Sequence, residues 1–115
     1  ITLVGGEADA AAAARALLAA DAVGFDSEAK PTFTKGEAST GPHLVQLATD
    51  DHAWLFPTSL AAGLPVLKAV LESTQVRKAG FGLGNDRSQL RARFGIELAN
   101  VVDLGEKLRG PEHRG

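Results

Sequence analysis

The stretch AVGFDSEAKPTF, residues 22–33, sets two carboxylates, Asp26 and Glu28, two positions apart inside a run otherwise suited to burial. In an extended segment alternate residues share a face, so the two acids project together while Val23 and Phe25 project the opposite way. Two carboxylates held side by side repel, and burying either one without a partner is costly. A divalent cation such as Mg²⁺ or Mn²⁺ removes both problems, because it takes carboxylate oxygens and keeps some of its own water. A strand-end position at which both acids simply meet water satisfies the same pattern, so D-x-E alone does not decide. A further acid, Asp86, lies in KAGFGLGNDRSQL, after a strand and at the start of a helix. The helix dipole favours a carboxylate there whatever its function. Spacing leaves open whether Asp86 converges on the pair.

The elements that must position these acids follow from pattern and turn chemistry. ITLVGG reads as a short strand ending in a Gly-Gly turn, and EADAAAAARALLAAD as a helix of three to four turns with acids at its start. AVGFDSE is a strand whose apolar flanks suggest a central place, with Gly24 leaving room on the acid-bearing face. AKPTFTKGEASTGP is a turn-rich loop. HLVQLATD and HAWLFP form a hairpin through TDD, and TSLAAGLPVLKAVLES is a second helix with Pro65 in its first turn. QVRKAGF is a strand, GLGNDRSQLRARFG a turn and a helix closed by Gly95, and IELANVVDL ends in a short strand. GEKLRGPEHRG starts another helix or turn. The order is β-α-β-β-β-α-β-α-β, a mixed α/β layout with early antiparallel pairing and later α/β crossings, and without internal repeats.

Composition bounds the function classes. At 115 residues, 44% hydrophobic and 23% charged, the chain is one domain with an ordinary globular composition. Its apolar runs are too short to span a membrane, and no signal peptide pattern opens it. The absence of cysteine removes disulfides and thiolate zinc sites and fits a reducing cytoplasm. A net charge of −2 argues against holding nucleic acid by bulk electrostatics, though not against metal ions and a local basic patch.

VGFDSEAKPTF, followed by HLVQLATDDHAWLFP and then KAGFGLGNDRSQL, resembles the 3′–5′ exonuclease domain of the ribonuclease D and Werner-type families, in the DEDD superfamily. VVDL, residues 101–104, is similar to the segment that follows the second motif. The resemblance covers essentially the whole chain, and the order of four separate blocks makes it more specific than any single one. It implies a ribonuclease H-like mixed sheet flanked by helices, with Asp26 and Glu28 as the first motif and Asp86 as the second. It further implies phosphodiester hydrolysis from the 3′ end of single-stranded DNA or RNA by two divalent ions, Mg or Mn. Asp26 would touch both ions, Glu28 one ion and the terminal 3′-hydroxyl, and Asp86 the second ion through water. Such ions invert the local charge, so an acidic site can receive a phosphate backbone. The third motif of that superfamily, a Tyr or His with an acid a few residues on, is not matched. The chain has no Tyr, and His113 has no Asp after it. The expectation is a single exonuclease-like domain over residues 1–115, incomplete at its C-terminus.

Other residues are weighed beside these. Lys30, Gln46 and Asn85 are expected to contact nucleic acid, with Lys35, Lys78 and Arg87 as further phosphate candidates against the plain reading of solvated charges. His43 and His52 lack zinc spacing, and Trp54 and Phe56 alternate as core residues do. One rival is a dinucleotide-binding fold built on Gly80, Gly82 and Gly84 with Asp103 as a ribose-binding acid. It lacks the third glycine, which is Asn85, and QVRKA carries two cations where a buried parallel strand should be apolar. Another is a catalytically inactive exonuclease-like module that binds nucleic acid or protein; retention of three mutually repelling acids argues against it.

Overall fold

The computed structural model describes residues 1–28 and 42–105, and contains β1 (Thr2–Leu3), α1 (Glu7–Leu18), β2 (Ala22–Glu28), β3 (Leu44–Ala48), β4 (Ala53–Pro57), α2 (Leu64–Glu72), β5 (Arg77–Gly80), α3 (Leu83–Phe94) and β6 (Val101–Asp103). The expected order of elements holds throughout. The strands form one mixed sheet in the order β1-β4-β3-β2-β5-β6, which puts the acid-bearing strand in its interior. β2, β3 and β4 run antiparallel in sequence, while β5 is parallel to β2 and β6 is parallel to β5. The parallel steps need crossovers, and α2 and α3 supply them. β1 lies parallel to β4 at the sheet edge, with Thr2 opposite Trp54.

Strand alternation sorts the sheet into two unlike faces. Val23, Phe25, Val45, Leu47, Trp54 and Phe56 are all buried on one face. Against them α1 buries Ala10, Ala13 and Leu17, α2 buries Leu67, Val70 and Leu71, and α3 buries Leu83 and Leu90, all in one core cluster. These positions recur at three- and four-residue spacing, so each helix turns one stripe inward. A fully buried Leu of this kind stabilises by roughly 1.5–3 kcal/mol relative to exposure. The opposite face carries Gly24, Asp26 and Glu28 on β2, register-paired with Ala48, Gln46 and Leu44 on β3.

The second helix differs slightly from expectation. It opens with a 3-10 turn, Ala61–Gly63, and the α-helix proper begins at Leu64 with Pro65 in its first turn. α3 ends where its sequence said it would, at Gly95 in the left-handed conformation (φ 65°). Two segments, residues 29–41 and 106–115, lie outside the described residues, and with them the expected loop and the final helix or turn. Among the described residues no helix is long and apolar enough to cross a membrane.

One premise of the sequence reading is overturned at β5. Two cations in QVRKA were held incompatible with a buried parallel strand, yet β5 is parallel to both neighbours and Lys78 is 0% exposed. The register pairs Lys78 with Val23 and Val101, which fixes it on the core side. Its stem packs as an aliphatic chain and its ammonium donates to the Ser73 carbonyl at 2.6 Å, beside the C-terminus of α2. Arg77, one residue earlier, alternates out to solvent. Lys78 is therefore withdrawn from any contact with phosphate.

Candidate active site

β2 presents Asp26 and Glu28 on the open face of the sheet, both exposed, with Gln46 directly across from Asp26 on β3. The pairing extends past the strand end, since the His43 N–H donates to the Glu28 carbonyl at 2.7 Å. Gly24 lies on the same face, and a Cβ built there would meet nothing within 4 Å. A glycine inside a strand with neither a crowded neighbour nor a positive φ leaves open space above the sheet. Two depressions occupy that face. One, of about 160 Å³, is lined by Asp26, Ser27, Glu28, Leu44, Gln46 and Leu55. The other, of about 300 Å³, lies over Gly24, Ala48, Ala79 and Gly80 and shares Asp26 and Gln46 with the first.

Asp86 meets β2 from the first turn of α3, at Ser27, whose side chain alternates to the side of the strand opposite Asp26 and Glu28. Its carboxylate accepts a hydrogen bond from the Ser27 hydroxyl, and the Ser27 backbone N–H donates to Asp26 Oδ1 at 2.9 Å. Burial pushes the Asp86 carboxyl above its ordinary range; the Ser27 hydrogen bond pulls it back, and the negative charge of Asp26 adds to the rise. That last influence places the Asp26 charge near the Asp86 carboxyl. Among the described residues no three His, Cys, Asp or Glu side chains are gathered tightly enough to hold a metal ion together. The donors on hand are carboxylate oxygens, the chemistry that hard divalent cations take.

The helix that carries Asp86 is positioned in turn by Asp103. α3 starts at Gly82, which adopts the left-handed conformation (φ 62°) and has no side chain with which to cap the helix. Asp103, from the end of β6, accepts from the Gly82 N–H at 3.2 Å and the Leu83 N–H at 3.0 Å, and so satisfies donors the helix leaves unpaired. A ribose-binding role for Asp103 is thereby replaced by a capping role. Gly80, the glycine before this turn, answers to packing: a Cβ there would lie 2.4 Å from the Phe25 carbonyl oxygen.

The remaining sequence candidates divide. Asn85 is exposed beside Asp86, whereas Lys30 and Lys35 fall outside the described residues. Arg87 donates to the Leu98 carbonyl at 3.1 Å and anchors the segment leading to β6. His52 pairs with Thr2 Oγ1 at 2.7 Å and sets its ring edge-on to Trp54, with centroids 4.7 Å apart. Trp54 and Phe56 are core, as expected. Sequence reasoning missed Ser27 and the capping role of Asp103. For Asp103 a signal existed, because GLGND opens a helix without Ser, Thr, Asp or Asn at its cap and so asks for an acceptor from elsewhere.

Comparison with known proteins places this geometry in a family. The family model described as 3′-5′ exonuclease matches residues 1–111. The chain is 32% identical over 97 residues to the mouse bifunctional 3′-5′ exonuclease/ATP-dependent helicase WRN, a match covering 80% of this chain and 7% of that protein. The fold is similar to the Aedes aegypti Nibbler EXO domain, with TM-score 0.79 and 25% identity over 98% of this chain and 56% of that one. Trypanosoma brucei RNase D in complex with RNA U12 superposes with TM-score 0.77 at 22% identity, over 89% of this chain and 36% of the other. The EXD2 exonuclease domain soaked in Mn and GMP gives TM-score 0.68 at 21% identity, over 90% and 55%. This chain thus spans a small part of the mouse relative and about half of the Nibbler domain. With the motif acids on one interior strand and one helix start of a ribonuclease H-like sheet, the chain belongs to the 3′-5′ exonuclease family, in its ribonuclease D and Werner-type branch.

Proposed function

We propose that this chain furnishes the acidic face of a metal-dependent 3′–5′ exonuclease that removes nucleotides from the 3′ end of single-stranded DNA or RNA. The observation that carries the reading is the hydrogen bond from Ser27, the residue between Asp26 and Glu28, to Asp86, which sets the second acid against the strand of the first two. Family membership supports it, as do a similar fold solved with RNA and another soaked in Mn and GMP. Asp26, Glu28 and Asp86 are the proposed metal ligands. When bound, divalent ions would supply charge neutralisation for the scissile phosphodiester and an activated water. The chain's own part is to hold Asp86 against the strand of Asp26 and Glu28 through Ser27 and to keep the face above Gly24 clear for the strand end. Gln46, which lines that face, and Asn85, exposed beside Asp86 on α3, are the proposed hydrogen-bonding groups for the nucleic acid, and Lys30 is the proposed phosphate contact.

A single-stranded oligonucleotide labelled at its 3′ nucleotide, given to the intact protein with Mn²⁺, is expected to release the labelled mononucleotide first. Early internal cuts would overturn the exonuclease reading. Asp26→Asn is expected to lower the rate by more than about 100-fold. A second reading, a non-catalytic nucleic-acid-binding module, draws on the absence of a three-acid cluster among the described residues. Binding of the oligonucleotide without any Mn²⁺-dependent release would select it.

A further inference from the structure

The second motif acid does not stand by itself. Ser27 alternates to the opposite side of β2 from Asp26 and Glu28, so its side chain faces the helix layer while the acids face the open side. From there its hydroxyl donates to Asp86, and its own N–H donates to Asp26 at 2.9 Å. The Ser27 side chain thus addresses Asp86, while its backbone addresses Asp26. On the far side, both Asp103 carboxylate oxygens are engaged with backbone N–H groups: Oδ2 takes Leu83 at 3.0 Å, and Oδ1 takes Gly82 at 3.2 Å and Gly105 at 3.0 Å. The first turn of α3 is therefore tied to β6 by its backbone and to β2 through Asp86.

From this we infer that Ser27 and Asp103 are positioning residues for Asp86: the Ser27 hydroxyl holds the Asp86 carboxylate against the strand that carries Asp26 and Glu28, and Asp103 fixes the helix start that carries Asp86. The inference rests on the proposed metal-binding reading and adds to it two residues outside the acid motifs. Its physical basis is that a carboxylate on a rotatable side chain offers a defined lone pair only when a neighbour holds it. Loss of such supporting contacts lowers metal affinity even though the ligands themselves remain. Ser27 suits the task because a hydroxyl donates without adding charge between two acids. Asp103 suits its own task because two oxygens can serve several N–H groups that a glycine cap leaves open.

The test is a Mn²⁺ titration of the intact protein, followed by Mn²⁺ electron paramagnetic resonance, with melting recorded in metal-free buffer. Ser27→Ala is expected to weaken Mn²⁺ binding about tenfold, and Ser27→Thr, which restores a hydroxyl, to recover most of that loss. Asp103→Asn loses acceptor capacity for the α3 start and is expected to weaken binding in the same direction. On substrate, the expected loss falls on kcat more than on KM, since both residues act through Asp86. Ser27→Ala that lowers the metal-free melting temperature yet binds Mn²⁺ as tightly as the parent would reduce Ser27 to a structural contact and overturn the inference. So would a Ser27→Thr variant no better than Ser27→Ala. If Asp26→Asn binds Mn²⁺ as the parent does, or the parent binds none, the metal reading itself falls and takes the inference with it.

Discussion

Asp86 is pulled two ways, and the balance sets a pH dependence. Burial and the Asp26 charge hold its proton on, and these outweigh the Ser27 hydrogen bond, so the folded state binds that proton more firmly than the unfolded chain does. For an acid shifted upward, the stability contribution is present below the ordinary carboxylate range and is lost as pH rises through the raised value. At neutral pH the ionised acid is therefore a stability cost, retained for its position. Asp86→Asn is expected to melt at a higher temperature than the parent at pH 7 in metal-free buffer, with the difference vanishing near pH 3. A calorimetric pH series would show it; a variant less stable at pH 7 would contradict the assignment of burial as the dominant influence. Strand alternation made the shared face of Asp26 and Glu28 legible in the sequence. The Ser27–Asp86 bond was not, because it joins residues 59 positions apart and no local pattern reports such a contact.

At the scale of elements, β5 carries two predictions. A Cβ at Gly80 would sit 2.4 Å from a backbone oxygen of β2, where nothing can yield cheaply. Gly80→Ala is expected to cost about 1–3 kcal/mol in denaturant unfolding. Gly24→Ala meets open space and is expected to fold at least as well as the parent. Lys78 supplies the other prediction: burial depresses its ammonium from 10.5 to about 8. For a base shifted downward, the unfolded chain holds more protons between those two values, so stability rises with pH across that window and falls again as pH drops through 8. Lys78→Met keeps the aliphatic volume, and is expected to be the more stable protein at pH 7 and to lose that rise. A parent stability flat from pH 8 to 10.5 would sink this account of Lys78. Helices and strands were legible because turn chemistry and periodicity agreed along most of the chain. The buried lysine was not, since charge alone says nothing of a carbonyl 5 residues back that waits for a donor. The parallel seating of β1 beside β4 was equally hidden, because two residues carry no register signal.

For the whole molecule, the division of labour between faces is the main result. The helix-covered face supplies stability through its buried apolar residues, and the opposite face carries the exposed acids Asp26 and Glu28. Ligand binding should then show as stabilisation. Mn²⁺ at about 100 times its Kd adds about 2.7 kcal/mol to the folded state. A rise in melting temperature with Mn²⁺ is expected for the intact protein and is expected to disappear in Asp26→Asn. An equal rise in both would place the ion elsewhere.

The alternation along β2 also limits how this strand can change in length. One residue inserted between Val23 and Asp26 would reverse the parity of everything after it, sending the acids toward the helices and the serine hydroxyl to the open side. Two inserted residues would restore the parity and merely lengthen the strand. Changes of odd size in β2 turn the site inside out, whereas changes of even size leave it facing the same way.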